Sequence, residues 1–125
     1  MPDKRVLIID DEDDIREVAK VSLEVAGGLD VLTASCGREG LETAASQQPD
    51  AILLDVMMPE MDGPTTLKAL QTTDSTKSIP VIFMTAKVQA ADHRQFAHLG
   101  VAGVIPKPFD PMTLAKQMAE ILRWT

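Results

Sequence analysis

Short apolar runs recur along the chain, separated by segments whose apolar residues follow helical spacing. The runs occupy residues 6–9, 31–32, 51–54, 81–84 and 104–105. None alternates strictly between apolar and polar residues, which is typical of strands buried on both faces in a parallel sheet. The pattern therefore predicts five buried strands.

The intervening segments predict five helices. Gly27-Gly28 ends the first, Gly63-Pro64 begins the third, and the fourth covers the region from 89 to 99. Asp110 is expected to cap the fifth. The predicted apolar faces are Ile15, Val18, Ala19, Ser22, Val25 and Ala26 in the first helix, Leu41, Ala44 and Ala45 in the second, and Leu114, Ala115, Met118, Ile121 and Leu122 in the fifth.

The strand-helix alternation predicts an α/β fold. Right-handed crossovers place helices on both faces of a parallel sheet. We expect a doubly wound, flavodoxin-like, five-stranded sheet of order 2-1-3-4-5 with five helices, forming one domain over residues 1–125. Neither a linker nor an internal repeat interrupts this pattern.

Composition narrows the class of protein. The net charge of -7 disfavours non-specific binding to DNA or to anionic membranes. No apolar run approaches a membrane span, and the four apolar residues at 6–9 are too few for a secretory signal. Cys36 has no second cysteine to pair with, so a reducing compartment is expected. We therefore expect a cytoplasmic protein without direct nucleic-acid or membrane partners.

Polar side chains stand where four of the predicted strands end. Asp10 and Asp11 follow the first strand, Asp55 the third, Thr85 the fourth and Lys107 the fifth. Since the carboxyl ends of parallel strands meet at one sheet edge, we expect these five side chains to share a pocket. Three crowded carboxylates repel one another and would take up protons unless a cation offsets their charge.

A hard divalent cation suits this group of oxygens. Mg²⁺ binds one or two carboxylates and keeps positions for water and phosphate oxygens. A carboxylate nucleophile beside it would form an aspartyl phosphate. Lys107 would offset charge on the transferring group, and Thr85 could donate a hydrogen bond to it. The expected cofactor is Mg²⁺ (or Mn²⁺), and the expected chemistry is phosphoryl transfer.

Four motifs together resemble the receiver domain of two-component response regulators. They are Asp10-Asp11, residues 54–63 (LDVMMPEMDG), Thr85-Ala86 and Lys107-Pro108-Phe109. The resemblance covers essentially the whole chain. It implies a phosphorylation-dependent signalling switch: not an enzyme, but a phosphoacceptor that assists its own phosphorylation and dephosphorylation. The implied partners are a histidine kinase or histidine phosphotransfer protein, and an unidentified downstream target protein.

The resemblance also implies roles for single residues. Asp55 would be the phosphoacceptor, and Thr85 and Lys107 would bind the phosphoryl oxygens. Asp11 would be a direct metal ligand, Asp10 would hold metal-bound water, and Met57 would offer its backbone carbonyl to the metal. The Lys107-Pro108 bond would be cis.

Further positions concern the switch and the lifetime of the phosphoryl group. The output surface would be formed by helix 4, strand 5 and helix 5. Three residues before the lysine the family often carries an aromatic residue, and here Val104 stands instead. Coupling through a large rotating side chain is therefore not expected. Met57 and Lys87 would flank the path of the hydrolytic water, and neither orients water well, which predicts slow loss of the phosphoryl group.

Plainer interpretations exist for each feature alone. Acids before a helix often stabilise its N-terminus, and a lone lysine is usually a solvated surface residue.

A flavin- or nucleotide-binding module of the same sheet order is an alternative, but it needs a Ser/Thr/Gly-rich phosphate loop where this chain has five acids at 10–14. An aspartate-nucleophile phosphatase usually has a second acid shortly after the nucleophile, where Val56 and Met57 follow Asp55. A receiver-like scaffold that takes no phosphate is a third alternative.

Overall fold

Strands and helices alternate through the chain, as the sequence predicts. The structure, a computed structural model, describes residues 4–86 and 89–124, and the elements lie within those ranges. The strands are β1 (Arg5–Ile9), β2 (Asp30–Ala34), β3 (Ala51–Asp55), β4 (Val81–Thr85) and β5 (Gly103–Pro106). The helices are α1 (Asp13–Val25), α2 (Gly37–Gln47), α3 (Gly63–Gln71), α4 (Ala90–His98) and α5 (Leu114–Leu122).

The strands form one parallel sheet of order β2-β1-β3-β4-β5. This confirms the predicted doubly wound fold. The register aligns Ile9 of β1 with Leu54 of β3, and Thr85 of β4 with Pro106 of β5. The carboxyl ends of the strands therefore lie along one edge, and the winding reverses between β1 and β3, where such folds place their sites.

The sheet divides the core into two clusters because successive strand residues point to opposite faces. On one face, Leu7 belongs to a cluster with Leu67 of α3 and Phe96 of α4. On the other, Ile8 belongs to a cluster with Leu23 of α1. Every residue of β3 and β4 is buried, as the unbroken apolar runs predict.

The predicted apolar face of α1 is wrong in part. Ala19 and Ser22 are buried, but Val18 is 44% and Val25 80% exposed, and Leu23 is fully buried instead. The helix packs on the sheet and beside α5. That packing turns the face centred on Ala19 and Leu23 inward and leaves valines on the flank in solvent. Helical spacing identifies an apolar sector, but the neighbouring helix decides which edge of it is covered.

The start of α5 also differs from the prediction. Asp110 Oδ1 accepts a hydrogen bond from the Met112 backbone N–H at 2.9 Å, which closes a turn ahead of the helix. The α-helix begins at Leu114, with Thr113 as its N-cap. Leu114 and Met118 are fully buried, so the predicted inner face of α5 is confirmed.

Side chains cap two other helices at the sheet edge that carries the polar residues. Cys36, an exposed thiol, accepts from the Glu39 N–H at 3.5 Å at the start of α2. Asp62 Oδ1 accepts from the Thr65 N–H at 2.9 Å at the start of α3, and this bond lowers the pKa of Asp62. Among the residues described, no helix is long and apolar enough to cross a membrane.

Candidate functional site

Three carboxylates meet where β1 and β3 end side by side. Asp10 directly follows β1, and Asp55 is the last residue of β3. One carboxylate oxygen from each of Asp10, Asp11 and Asp55 lies within 4.8 Å of the other two. Asp10 is fully buried and Asp55 is 2% exposed. The structure therefore brings together the three acids that the sequence predicts to meet.

The β1–α1 loop is held by hydrogen bonds that fix Asp10. Asp10 Oδ1 accepts a hydrogen bond from the Glu12 N–H at 2.8 Å, and the Asp10 N–H donates to the Ala34 carbonyl at 3.1 Å. Arg16 Nη1 donates to the Asp10 backbone carbonyl at 2.8 Å, and Arg16 also forms an ion pair with Asp13. Arg16 is a residue of this site that the sequence motifs did not predict. It is the one base in the opening turns of α1, which could have indicated a role beside the acids.

Lys107 reaches the carboxylates from the end of β5. Its backbone N–H donates to the Thr85 carbonyl at 2.8 Å, which extends the β4–β5 pairing beyond the strand. Its Nζ lies 3.0 Å from Asp10 Oδ2, 3.2 Å from Asp55 Oδ1 and 3.7 Å from Glu12 Oε1. Burial lowers the pKa of Lys107, but the hydrogen bonds and charges of Asp10 and Asp55 outweigh it and raise the pKa above its usual value. Lys107 is therefore a fixed cation of this site.

The pKa of Asp55 is raised in spite of the nearby Lys107. Its Oδ1 accepts from the Met57 N–H at 3.2 Å. Burial, followed by the negative charge of Asp10, raises the pKa of Asp55 from 3.8 to about 6, against the opposing effect of Lys107. Lys107 thus only partly compensates for the effects of burial and of Asp10 on Asp55.

The loop after Asp55 is fastened to the sheet. The Val56 N–H donates to the Met84 carbonyl at 3.2 Å, and the Gly63 N–H donates to the Val56 carbonyl at 2.9 Å. A Cβ on Gly63 would lie 2.7 Å from Val56 Cα and 2.8 Å from the Asp55 carbonyl oxygen. Glycine is therefore needed where α3 begins, because only glycine allows this close approach to the backbone of Asp55 and Val56.

The residues present fit a divalent cation. Asp11 Oδ1 and Asp55 Oδ2 are buried and have no hydrogen-bond partner among the residues described. Buried carboxylate oxygens without partners are costly, and such oxygens are the ligands that Mg²⁺ prefers. Their position within one group of three acids supports a metal site at this edge.

The other predicted residues are distributed around this centre. Thr85 is buried at the end of β4, Ala86 follows it on the surface, and the Lys107-Pro108 bond is cis, as predicted. Val104 lies half-buried in β5 and packs against the cluster that contains Phe83. Met57 is 65% exposed. Lys87 lies outside the described residues.

Comparison with known proteins identifies a family for this arrangement. The family model described as "Response regulator receiver domain" matches residues 6–119. The chain is 37% identical over 120 residues to the alkaline phosphatase synthesis transcriptional regulatory protein PhoP of Bacillus subtilis, covering 96% of this chain and 49% of that protein. It is 36% identical over 125 residues to the phosphate regulon transcriptional regulatory protein PhoB of Pseudomonas aeruginosa, covering 100% of this chain and 54% of that protein.

A solved structure supports the same family. The chemotaxis response regulator CheY4 of Vibrio cholerae superposes with a TM-score of 0.89 at 32% identity, covering 96% of this chain and 99% of that one. The chain spans about half the length of the curated relatives it matches. Both the sequence and the fold around the three acids and Lys107 therefore match those of response regulators. The chain belongs to the receiver-domain family of two-component response regulators.

Proposed function

We propose that this chain is a phosphorylation-dependent signalling switch in which Asp55 accepts the phosphoryl group. The observation that carries the proposal is the setting of Asp55. It is buried at the end of β3, with Lys107 Nζ 3.2 Å from Oδ1 and carboxylate oxygens of Asp10 and Asp11 within 4.8 Å. The donor would be the phosphohistidine of a histidine kinase or of a histidine phosphotransfer protein.

The transfer exchanges one bond to phosphorus for another. An Asp55 carboxylate oxygen attacks phosphorus, an O–P bond forms as the donor's N–P bond breaks, and the electron pair of that bond returns to the imidazole. With a pKa of about 6, Asp55 is mostly ionised at neutral pH and is a competent nucleophile. Lys107 offsets charge on the phosphoryl oxygens as they approach, and Thr85 donates a hydrogen bond to one of them.

A divalent cation would complete the site. Asp10, Asp11, Asp55 and the Met57 backbone carbonyl would hold Mg²⁺ (or Mn²⁺), Asp10 through metal-bound water. The bound ion would offset the charge of the crowded carboxylates and of the transferring group. The unpartnered oxygens of Asp11 and Asp55 support this assignment.

Loss of the phosphoryl group would be slow and assisted by the domain itself. Hydrolysis needs a water in line with the O–P bond of Asp55. Met57 is 65% exposed two residues beyond the acceptor, and its thioether is a weak acceptor that orients water poorly. The proposed role of Lys87 as the second flanking residue rests on the sequence alone.

The signal would leave through the surface formed by α4, β5 and α5, to a downstream target protein in the cytoplasm. Val104 stands on β5 of this surface. Its short, β-branched side chain is stiff at χ1 and has no ring to rotate. We therefore propose that coupling to this surface does not use an aromatic rotamer switch at Val104.

Intact mass spectrometry tests the proposed function. Incubation with acetyl phosphate and Mg²⁺ should add one phosphoryl mass to the wild-type protein and none to Asp55→Asn. Asp74→Asn is the matched control, because the Asp74 side chain is 99% exposed and lies in the α3–β4 connection, at the edge of the sheet opposite to the site. Equal labelling of Asp55→Asn would show that another residue accepts the group. No labelling of the wild type would favour a receiver-like scaffold that takes no phosphate.

A further inference from the structure

An open groove lies between the β3–α3 loop and α4, with a volume of about 660 Å³. Val56, Met58 and Phe96, each 6–8% exposed, form its floor. Met57 and Leu99 line it as well and are 65% and 38% exposed. An exposed methionine and an exposed leucine thus lie beside a buried apolar floor and form one apolar surface with it, rather than scattered surface residues.

The groove is preformed because both of its sides are fastened to the domain. Phe96 of α4 packs edge-to-face on Phe83 of β4, with ring centroids 5.2 Å apart and an interplanar angle of 89°. Gln71 Nε2 at the end of α3 donates to the Leu99 carbonyl at 2.7 Å, which ties the end of α4 to α3. A ligand would therefore not have to order these elements when it binds.

The described side chains that line the groove carry a net negative charge. Asp62 and Asp92 line it, and none of the described residues that line it is a lysine or an arginine. Within the part of the chain that the structure describes, no cation lies within 4.0 Å of either carboxylate. The cap to Thr65 keeps Asp62 ionised by lowering its pKa. The described part of the groove thus combines apolar walls with two carboxylates that form no ion pair with a described cation.

We propose that this groove docks a segment of a partner protein that carries apolar side chains flanked by Lys or Arg. Apolar side chains would cover the floor, and the flanking cations would meet Asp62 and Asp92. The groove lies on the α3 side of α4, whereas the proposed output surface lies on its β5 side, so one helix would serve two contacts. The inference does not depend on phosphorylation of Asp55.

Peptide titration followed by amide chemical shifts tests the inference on the unphosphorylated protein. The probe is a synthetic peptide of about twelve residues with leucines on one helical face and lysines on the other. Two comparison peptides carry glutamates in place of the lysines, or the same residues in an order that spreads the leucines around the helix. Shifts should concentrate at residues 56–64 and 92–99 with the first peptide and be weak with both comparison peptides.

Variants locate the contact. Leu99→Gln should weaken binding of the cationic peptide at least fivefold and Asp92→Asn about threefold, whereas Val21→Gln and Asp74→Asn should not change it. Val21 is a matched control because it is an apolar side chain 46% exposed on α1. The inference is overturned if the shifts map elsewhere or if all variants bind alike. If the shifts at the groove change with protein concentration in the absence of peptide, the groove binds a second copy of this chain, and the proposed partner segment is refuted.

Discussion

Replacing Asp55 by Asn should stabilise the metal-free protein at neutral pH. The Asp55 carboxylate is 2% exposed, and its Oδ2 has no hydrogen-bond partner among the residues described. Burial and the charge of Asp10 raise the pKa of Asp55 to about 6 in the folded state, whereas the unfolded chain has the ordinary value of 3.8. Asparagine keeps the shape and the acceptor towards the Met57 N–H, removes the charge and places an amide donor at the unpartnered position.

The sign and size of the effect follow from proton linkage. Because the folded pKa is raised above the unfolded one, the protonated carboxyl favours the folded state. This stability is present below about pH 4 and is lost as pH rises towards 6. One pKa unit corresponds to about 1.4 kcal/mol, so the loss for Asp55 reaches at most about 3 kcal/mol at pH 7.5. Asp55→Asn avoids this loss, and we expect a gain of about 1–3 kcal/mol at pH 7.5 that falls below about 1 kcal/mol at pH 4.

Urea unfolding followed by circular dichroism, in EDTA at both pH values, measures the gain. Asp74→Asn is the control and should change stability by less than about 0.5 kcal/mol at either pH. Adding Mg²⁺ should stabilise the wild type more than Asp55→Asn and so reduce the difference between them. An Asp55→Asn variant no more stable than the wild type at pH 7.5, or a gain in stability that is the same at pH 4, would refute the proposed cost of the buried Asp55 charge.

Three further predictions concern the proposed roles of single residues. Asp11→Asn should weaken Mg²⁺ binding at least tenfold by calorimetric titration, while the exposed neighbour Asp14→Asn should bind normally; unchanged affinity in Asp11→Asn would remove Asp11 from the metal site. Lys107→Ala and Lys107→Arg should both slow labelling by acetyl phosphate about tenfold or more, since a planar guanidinium does not replace a point charge; wild-type rates in Lys107→Ala would refute the role. Met57→Asn should speed decay of the phosphorylated protein several-fold at saturating Mg²⁺, compared with Met112→Asn at a site 82% exposed; equal or slower decay would show that this position does not set the lifetime.

Local sequence was enough to predict the fold and the place of the candidate site. Strands buried on both faces must be almost wholly apolar, so β3 and β4 are visible as unbroken runs. Right-handed crossovers then leave few topologies, and the order β2-β1-β3-β4-β5 is one of them. Since parallel strands end at a common edge, the sequence alone predicts that Asp10, Asp55 and Lys107 lie together.

Only the tertiary structure decided which apolar residues are buried and which side chains contact the site. Val25 and Leu23 are both apolar residues of α1, yet one is 80% exposed and the other fully buried, because the packing of α1 against β2 and α5 covers only part of the apolar sector. The bond from Arg16 to the Asp10 carbonyl joins residues whose spacing carries no signal of contact. The pKa of Asp55 depends on burial and on Asp10 and Lys107 at once, and the groove beside α4 exists only where α3 and α4 meet. Periodicity is a property of neighbours in sequence, whereas burial, electrostatics and cavities sum over neighbours in space, and those are known only when the chain is folded.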